Sequence, residues 1–263
     1  MRRDDSSASL NTEQARVANA GVKALIPLAT DSHDAVARPF LDYVLSALAD
    51  AGITSVCLVI GPEHEAIRGY YEGAGSPTRL RVFFAIQQEA RGTADAVLAA
   101  ESFAAGEHVL VLNSDNYYPI TAYRTLVDFG KAALPGFDRE ALVRHSNIDP
   151  ERIRAFALLD TSPDGYLTDI VEKPDAATFD RMGPHALVSM NLWAMPPQIY
   201  HACRQIRPSA RGELELPDAV RHAIRQMGVR FRVFPIAEGV LDLSRRGDVA
   251  AVAASLAHLN IRP

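Results

Sequence analysis

The chain has 263 residues, of which 48% are hydrophobic, enough apolar material for one large α/β domain or two small ones. A net charge of −5 leaves no basic footprint and argues against nucleic acid as a main partner. The two cysteines, Cys57 and Cys203, lie far apart without metal spacing, which excludes a disulfide framework and points to a reducing compartment. No apolar run approaches the roughly 20 residues that span a bilayer. The opening MRRDDSS has charge but no apolar stretch behind it, so it does not read as a signal peptide. The expectation is a soluble, cytoplasmic protein with no membrane partner.

Residues 1–20 are polar and Ala-rich, read as a loosely held segment with a short helix over 12–20. A helix is predicted over 39–51, with Pro39 in its first turn, Phe40, Leu41, Val44, Leu45 and Leu48 at helical period, and Gly52 just past its end. A strand over 55–60, a helix over about 63–71, a strand over 80–86, a helix over 93–103 opening after Gly92, and a strand over 108–112 follow. Strand–helix–strand units in succession imply right-handed crossovers and an α/β doubly wound sheet. Past about residue 150 the connections shorten between strands at 155–160, 166–171, 187–194 and 229–235, which predicts a mixed sheet with antiparallel strands. Helices over about 215–227 and 246–259 finish the chain, and residues 21–263 read as one domain.

Five segments fall at strand ends or in the turns after them, where ligands of open α/β sheets bind. The clearest is VLVLNSDNYYP at 109–119, an apolar run delivering Asp115 and Asn116. A carboxylate there suits a divalent metal held against a phosphate, although a lone Asp after a strand caps a turn just as well. In QQEARGTADA at 87–96, Gln87 has donors and an acceptor for a nucleobase edge, Gly92 admits close backbone approach, and Thr93 opens the helix. In VEKP at 171–174, Glu172 suits sugar hydroxyls, Lys173 a phosphate, and Pro174 stops the strand. Asn191 is the polar residue of the VSMNLW strand at 188–193, and Asp242 interrupts the apolar GVLDLS at 239–244. With Asp115, Asp242 makes a carboxylate pair able to hold Mg²⁺.

In order and roles these segments, with GELE at 212–215, resemble the sugar-1-phosphate nucleotidyltransferases over about residues 22–255. The resemblance implies a Rossmann-like, doubly wound mixed sheet, the nucleotide-diphospho-sugar transferase fold. It implies Gln87, Gly92, Thr93 and Asp115 on the nucleotide, Asp115 and Asp242 on Mg²⁺, and Glu172, Lys173 and Asn191 on the sugar phosphate. Lys23 and Asp115 would be catalytic, and the substrates a nucleoside triphosphate and a sugar 1-phosphate. Homo-oligomer formation is left open. The implied reaction is direct attack of the sugar phosphate on the α-phosphorus, served by positioning and charge rather than by a covalent nucleophile.

One hallmark is absent: the first strand with its glycine-rich loop, which cradles the triphosphate. Residues 22–28 are either that strand with its loop lost, or the family's later Pro-Lys-x-Leu-Leu-Pro segment. The second placement is preferred, because it keeps Lys23 and Pro27 at family spacing and lets RPFLDY at 38–43 follow in register. The chain is then expected to lack the first strand and phosphate loop, with part of the sheet exposed and slow or no turnover by residues 1–263. A non-catalytic relative, binding a sugar phosphate or nucleotide as a regulatory or assembly subunit, is the second reading. A nicotinamide-dependent oxidoreductase is excluded, since no Gly-x-Gly-x-x-Gly follows an early strand.

Overall fold

The structure, a computed structural model, describes residues 10–19, 22–28 and 37–263. Expectations for 1–9, 20–21 and 29–36 lie outside the described residues. The first half of the chain runs α1 (Thr12–Asn19), β1 (Pro27–Leu28), β2 (Arg38–Pro39), α2 (Phe40–Asp50), β3 (Ser55–Ile60), α3 (Glu65–Glu72), β4 (Arg81–Ile86), α4 (Thr93–Ala99), α5 (Glu101–Ala104) and β5 (Val109–Leu112). Then come β6 (Asn116–Tyr117), α6 (Ile120–Phe129), β7 (Ala133–Phe137), α7 (Arg139–His145), α8 (Pro150–Ile153), β8 (Ala157–Thr161) and β9 (Leu167–Val171). The chain closes through α9 (Ala176–Arg181), β10 (Leu187–Ser189), β11 (Leu192–Met195), α10 (Gln198–Gln205), α11 (Leu216–Met227), β12 (Arg232–Ile236), β13 (Leu241–Asp242) and α12 (Asp248–Leu256).

The main sheet is built around β7. Strand β12 lies parallel along one of its edges, while β10 and β11 pair antiparallel with it. Strand β11 also pairs with β5, β10 with β8, and β8 with β9, all antiparallel. Helices cover both faces, as the alternation of two core clusters along single strands shows. Leu192 and Ala194 belong to one cluster, with α2, α6 and α12; Trp193 and Met195 belong to the other, with α4, α10 and α11. Period-2 alternation with apolar residues on both sides is what a doubly covered sheet requires. Strands β3 and β4 form a separate parallel pair.

Several expectations change in detail. Residues 22–28 are not a core strand: Lys23–Leu25 forms a 3₁₀ turn, and β1 pairs antiparallel with β2 at the edge of α2. The segment is therefore not the core strand that the first placement makes of it. The 93–103 helix breaks at Ala100 into α4 and α5. The single strand over 187–194 is two strands, because Asn191 adopts φ +57° between them, a left-handed conformation that Asn tolerates better than most residues. Strand β7 escaped the sequence reading because ALPGF, with Pro135 and Gly136, looks like a turn. It is buried at every residue, and a side chain at Gly136 would come within 2.7 Å of the Leu187 side chain.

Candidate active site

The carboxyl end of β5 leads through Asn113 and Ser114 to Asp115, and Asn116 then enters β6. Strand β6 pairs antiparallel with β13, placing Asp242 opposite Asn116, while the Leu243 amide donates to the Asp115 carbonyl at 2.8 Å. The two aspartates predicted to form a pair, 127 positions apart, thus come to one strand pairing, Asp115 just before β6 and Asp242 in β13. Lys23 arrives from the 3₁₀ turn and sets its Nζ 3.4 Å from Asp115 Oδ2, each side chain about a quarter exposed. The phenol of Tyr118, fully buried beneath, donates to the Met190 carbonyl at 2.6 Å. Its pKa is pushed well above the ordinary value, first by burial, then by neighbouring Tyr123, and also by the charges of Asp115 and Asp242.

Asp242 is held from several sides. Its backbone N–H donates to Asn147 Oδ1 at 2.8 Å, and its carbonyl accepts from Asn147 Nδ2 at 2.7 Å. Its Oδ1 accepts from the Ser244 amide at 2.7 Å and faces Arg152 Nη2 at 3.3 Å. Arg152, from α8, also bonds Asp248 Oδ1 at 3.1 Å, so one buried guanidinium serves two carboxylates. Burial is the main cause raising the Asp248 pKa, opposed by the Arg245 amide and Arg152. Neither Arg152 nor Asp248 stands out in the sequence, since Arg in PERI and Asp in RRGD read as surface charges.

The donor set suits Mg²⁺. Mg²⁺ binds through one or two carboxylates and completes its shell with water and substrate phosphates. Asp115 and Asp242 supply hard oxygens, and no hydrogen bond from the described residues reaches Asp242 Oδ2. No group of three or more His, Cys, Asp or Glu converges among the described residues, so an all-protein cage is not what this site offers.

The Gln87 group is built differently. The Gln87 backbone N–H donates to the Ile60 carbonyl at 2.9 Å and so extends the β3–β4 pairing by one step. Its side-chain Nε2 donates to the Gly92 carbonyl and to Asp95 Oδ2, each at 3.0 Å, leaving Oε1 for another partner. Gly92 has φ +118°, and a Cβ there would lie 2.4 Å from the Leu214 carbonyl oxygen. The backbone that approaches it belongs to this chain: Leu214 N donates to the Arg91 carbonyl at 2.7 Å, and Ala94 N to the Leu214 carbonyl at 2.9 Å. Thr93 Oγ1 accepts from the Leu216 amide at 2.9 Å and caps α11. Gly92 and Thr93 therefore dock the β4–α4 turn onto the start of α11.

Glu172 and Lys173 leave the end of β9, with Lys173 at φ +43°. Arg221 of α11 ties that strand down, through Asp169 Oδ1 at 3.1 Å and the Ile170 carbonyl at 2.7 Å. Burial raises the Glu172 pKa against the pull of Arg221, and Glu215 raises it further. Arg211 holds Glu215 at 2.6 Å and also faces Glu172. A Glu–Arg–Glu–Arg surface thus surrounds the turn where sequence reasoning placed two residues. Asn191 borders the same cavity as Asn113, Ser114 and Thr93.

The chain belongs to the nucleotidyl transferase family, whose model matches residues 25–240. Among its relatives is the low-salt glycan biosynthesis nucleotidyltransferase Agl11 of Haloferax volcanii, 26% identical over 206 residues, covering 78% of this chain and 52% of that protein. A glucose-1-phosphate thymidylyltransferase of an Actinoplanes species is 30% identical over 190 residues, covering 72% of this chain and 58% of that protein. The chain spans little more than half the length of these curated relatives. The fold matches that of a UDP-glucose pyrophosphorylase from Acinetobacter baumanii with TM-score 0.69 at 16% identity, over 97% of this chain and 93% of that one. It is the Rossmann-like fold the sequence implied. Among the described residues no helix is long and apolar enough to cross a membrane.

Proposed function

We propose that this chain transfers a nucleoside monophosphate from a nucleoside triphosphate to a sugar 1-phosphate. A phosphate oxygen of the sugar attacks the α-phosphorus, the α–β bridging P–O bond breaks, and pyrophosphate leaves with the electron pair. The observation that carries this reading is the meeting of Lys23, Asp115 and Asp242 at the end of β5, three residues from three distant segments. Lys23 neutralises phosphate charge when the triphosphate draws its ammonium from Asp115. Asp115 and Asp242 would hold Mg²⁺, and a bound Mg²⁺ would supply charge screening for the phosphates. Gln87 Oε1 meets the base, while Gly92 and Thr93 shape the wall beside it. Glu172 accepts from sugar hydroxyls, Lys173 meets the sugar phosphate, and Asn191 faces the sugar. A cytoplasmic setting fits a consumer of nucleoside triphosphate with free thiols.

The test is pyrophosphate release from residues 1–263 with Mg²⁺-dTTP or Mg²⁺-UTP and glucose 1-phosphate, alongside titration of each ligand. Slow release that Asp115→Asn and Asp242→Asn abolish supports the reading. Sugar-phosphate binding with no release, unaltered by those substitutions, replaces it with the regulatory or assembly subunit.

A further inference from the structure

Two aromatic rings of this chain each carry a pair of arginines, and the pairs differ in one respect. Arg230 and Arg232 lie over the Tyr166 ring, their guanidinium carbons 3.8 and 5.5 Å from its centre. Asp164 neutralises that pair: its carboxylate meets Arg230 Nη2 at 2.6 Å, and its carbonyl accepts from Arg232. Arg139 and Arg154 lie over the Phe179 ring in the same way, at 4.1 and 4.9 Å. The ring face attracts each cation, but it does not cancel their charge. Among the described residues no carboxylate pairs with Arg139 or Arg154. Asp138 and Asp175 beside them cap α7 and α9 through the Ala141 and Thr178 amides, and Glu140 faces Arg144.

Arg139 also holds a donor with nothing to meet. Its Nε donates to the Ala186 carbonyl at 3.0 Å, while Nη2, shut off from solvent, has no partner among the described residues. Buried polar groups of this kind are ordinarily satisfied, and a charged one left unpaired is costly. Burial, then the charge of Arg154, lowers the Arg139 pKa. Two guanidiniums on one ring, repelling each other and one donor short, make half of an ion pair. An oxyanion completes it, because its paired oxygens match the planar fork of a guanidinium.

The cluster lies at the substrate end of the sheet. Phe137, which ends β7, pairs with Val188, and Ala157, which opens β8, pairs with Ser189. Val171, which ends β9, pairs with Leu158. Arg139 stands two residues past β7, Arg154 three before β8, and Phe179 eight past β9 in α9. The same strand ends carry Glu172, Lys173 and Asn191, the residues given above to the sugar phosphate.

We propose that Arg139 and Arg154 form an oxyanion site on the Phe179 ring, taking a carboxylate or phosphate that none of the roles above employs. Two sources supply such a group: an acidic substituent of the acceptor sugar remote from its 1-phosphate, or a separate small anion acting as an effector. The position beside Glu172 and Lys173 favours the acceptor, and that choice rests on the transferase reading. The site itself does not.

The experiment titrates residues 1–263 by calorimetry with inorganic phosphate, glucose 1-phosphate and glucuronic acid 1-phosphate, the last carrying a carboxylate at C6. Arg139→Gln and Arg154→Gln remove the site, and phosphate is titrated with Lys23→Gln and Lys173→Gln in place, so that the proposed catalytic cations do not hold it. Arg154 is exposed and its side chain makes no hydrogen bond among the described residues, so its variant keeps the fold. Thermal unfolding checks the same for Arg139→Gln. The expected result is phosphate binding that either arginine substitution weakens about tenfold or more. Glucuronic acid 1-phosphate binding about tenfold tighter than glucose 1-phosphate, a preference that Arg154→Gln erases without changing the glucose 1-phosphate affinity, assigns the group to the acceptor. Equal affinity for the two sugar phosphates, with arginine-dependent phosphate binding, assigns it to a separate anion. Affinities that ignore both arginine substitutions, or no phosphate binding together with no preference for the glucuronate, overturn the proposal. If neither sugar phosphate binds, the transferase reading fails, while the phosphate titration still decides the site.

Discussion

Strands β7 and β3 make an instructive pair. β7, reading ALPGF, has the poorer strand sequence, yet every residue of it is buried. β3, reading SVCLVI, is nearly all apolar, yet five of its six residues are half-exposed. Partnering accounts for the difference. β7 has β12 along one edge and β10 with β11 along the other, and helices cover both faces. Among the described residues β3 has a single strand partner, and it borders a cavity. Hydrophobicity decides which segments seek the interior; pairing on both edges decides which of them reach it.

The largest expected effect belongs to the closed side. Arg152→Ala leaves Asp242 and Asp248 buried together without their shared cation, and loss of one partner from a buried pair costs about 3–5 kcal/mol. Urea unfolding should show that loss, with part of it recovered by adding Asp248→Asn. A cost below about 1 kcal/mol, the value for exposed pairs, would mean the cluster is solvated.

A matched truncation probes the two strands directly. Leu134→Ala in β7 empties a fully buried site and should cost about 2–5 kcal/mol. Leu58→Ala in β3 removes a half-exposed side chain that lines the cavity, and about 1 kcal/mol is expected. Equal losses in thermal or chemical unfolding would erase the distinction drawn between the strands.

The same contrast explains what was legible in the sequence. Apolar runs between turn signals reveal β3, β4, β5 and β9, and helical periodicity with Pro39 and Gly52 reveals α2, because each signal is local. β7 and α10 are fixed by neighbours distant in sequence, so their residues carry turn-like or mixed signals of their own. The residue types for the site were readable at strand ends. What was not readable was their support: Arg152 beneath Asp242, Arg221 beneath the end of β9, and Leu214 against Gly92 are cross-chain partners with no local pattern. Gly92 shows the limit most plainly. Its need for a bare α-carbon was visible, but the group pressing on it is the Leu214 backbone.

On the seam between the halves, Lys23 separates catalysis from stability. Its ion pair with Asp115 is partly exposed, so Lys23→Ala should change unfolding free energy by less than about 1 kcal/mol. If Lys23 meets the triphosphate, the same change should lower kcat/KM for pyrophosphate release about 100-fold, the usual scale for one lost charge-stabilising donor. Unchanged turnover would remove Lys23 from the proposed machinery while leaving Asp115 and Asp242 in place.

The smallest effect tests the open side by pH. Asp42 of α2 is fully buried and accepts from Tyr71 Oη at 2.9 Å and Tyr70 Oη at 3.2 Å, with Arg38 at 3.4 Å. Burial raises its pKa, and these three partners only partly oppose that rise. A carboxyl whose folded pKa lies above its unfolded one binds its proton more tightly when folded. Its stabilising contribution is therefore complete below the unfolded pKa, about 3.9, and is lost as pH rises through the folded value. Asp42→Asn removes that titration. The stability of the variant relative to the parent should rise with pH across this window. A relative stability that instead falls with rising pH would show that the tyrosines and Arg38 outweigh burial, and that the charged carboxylate is what this part of the open side is built to hold.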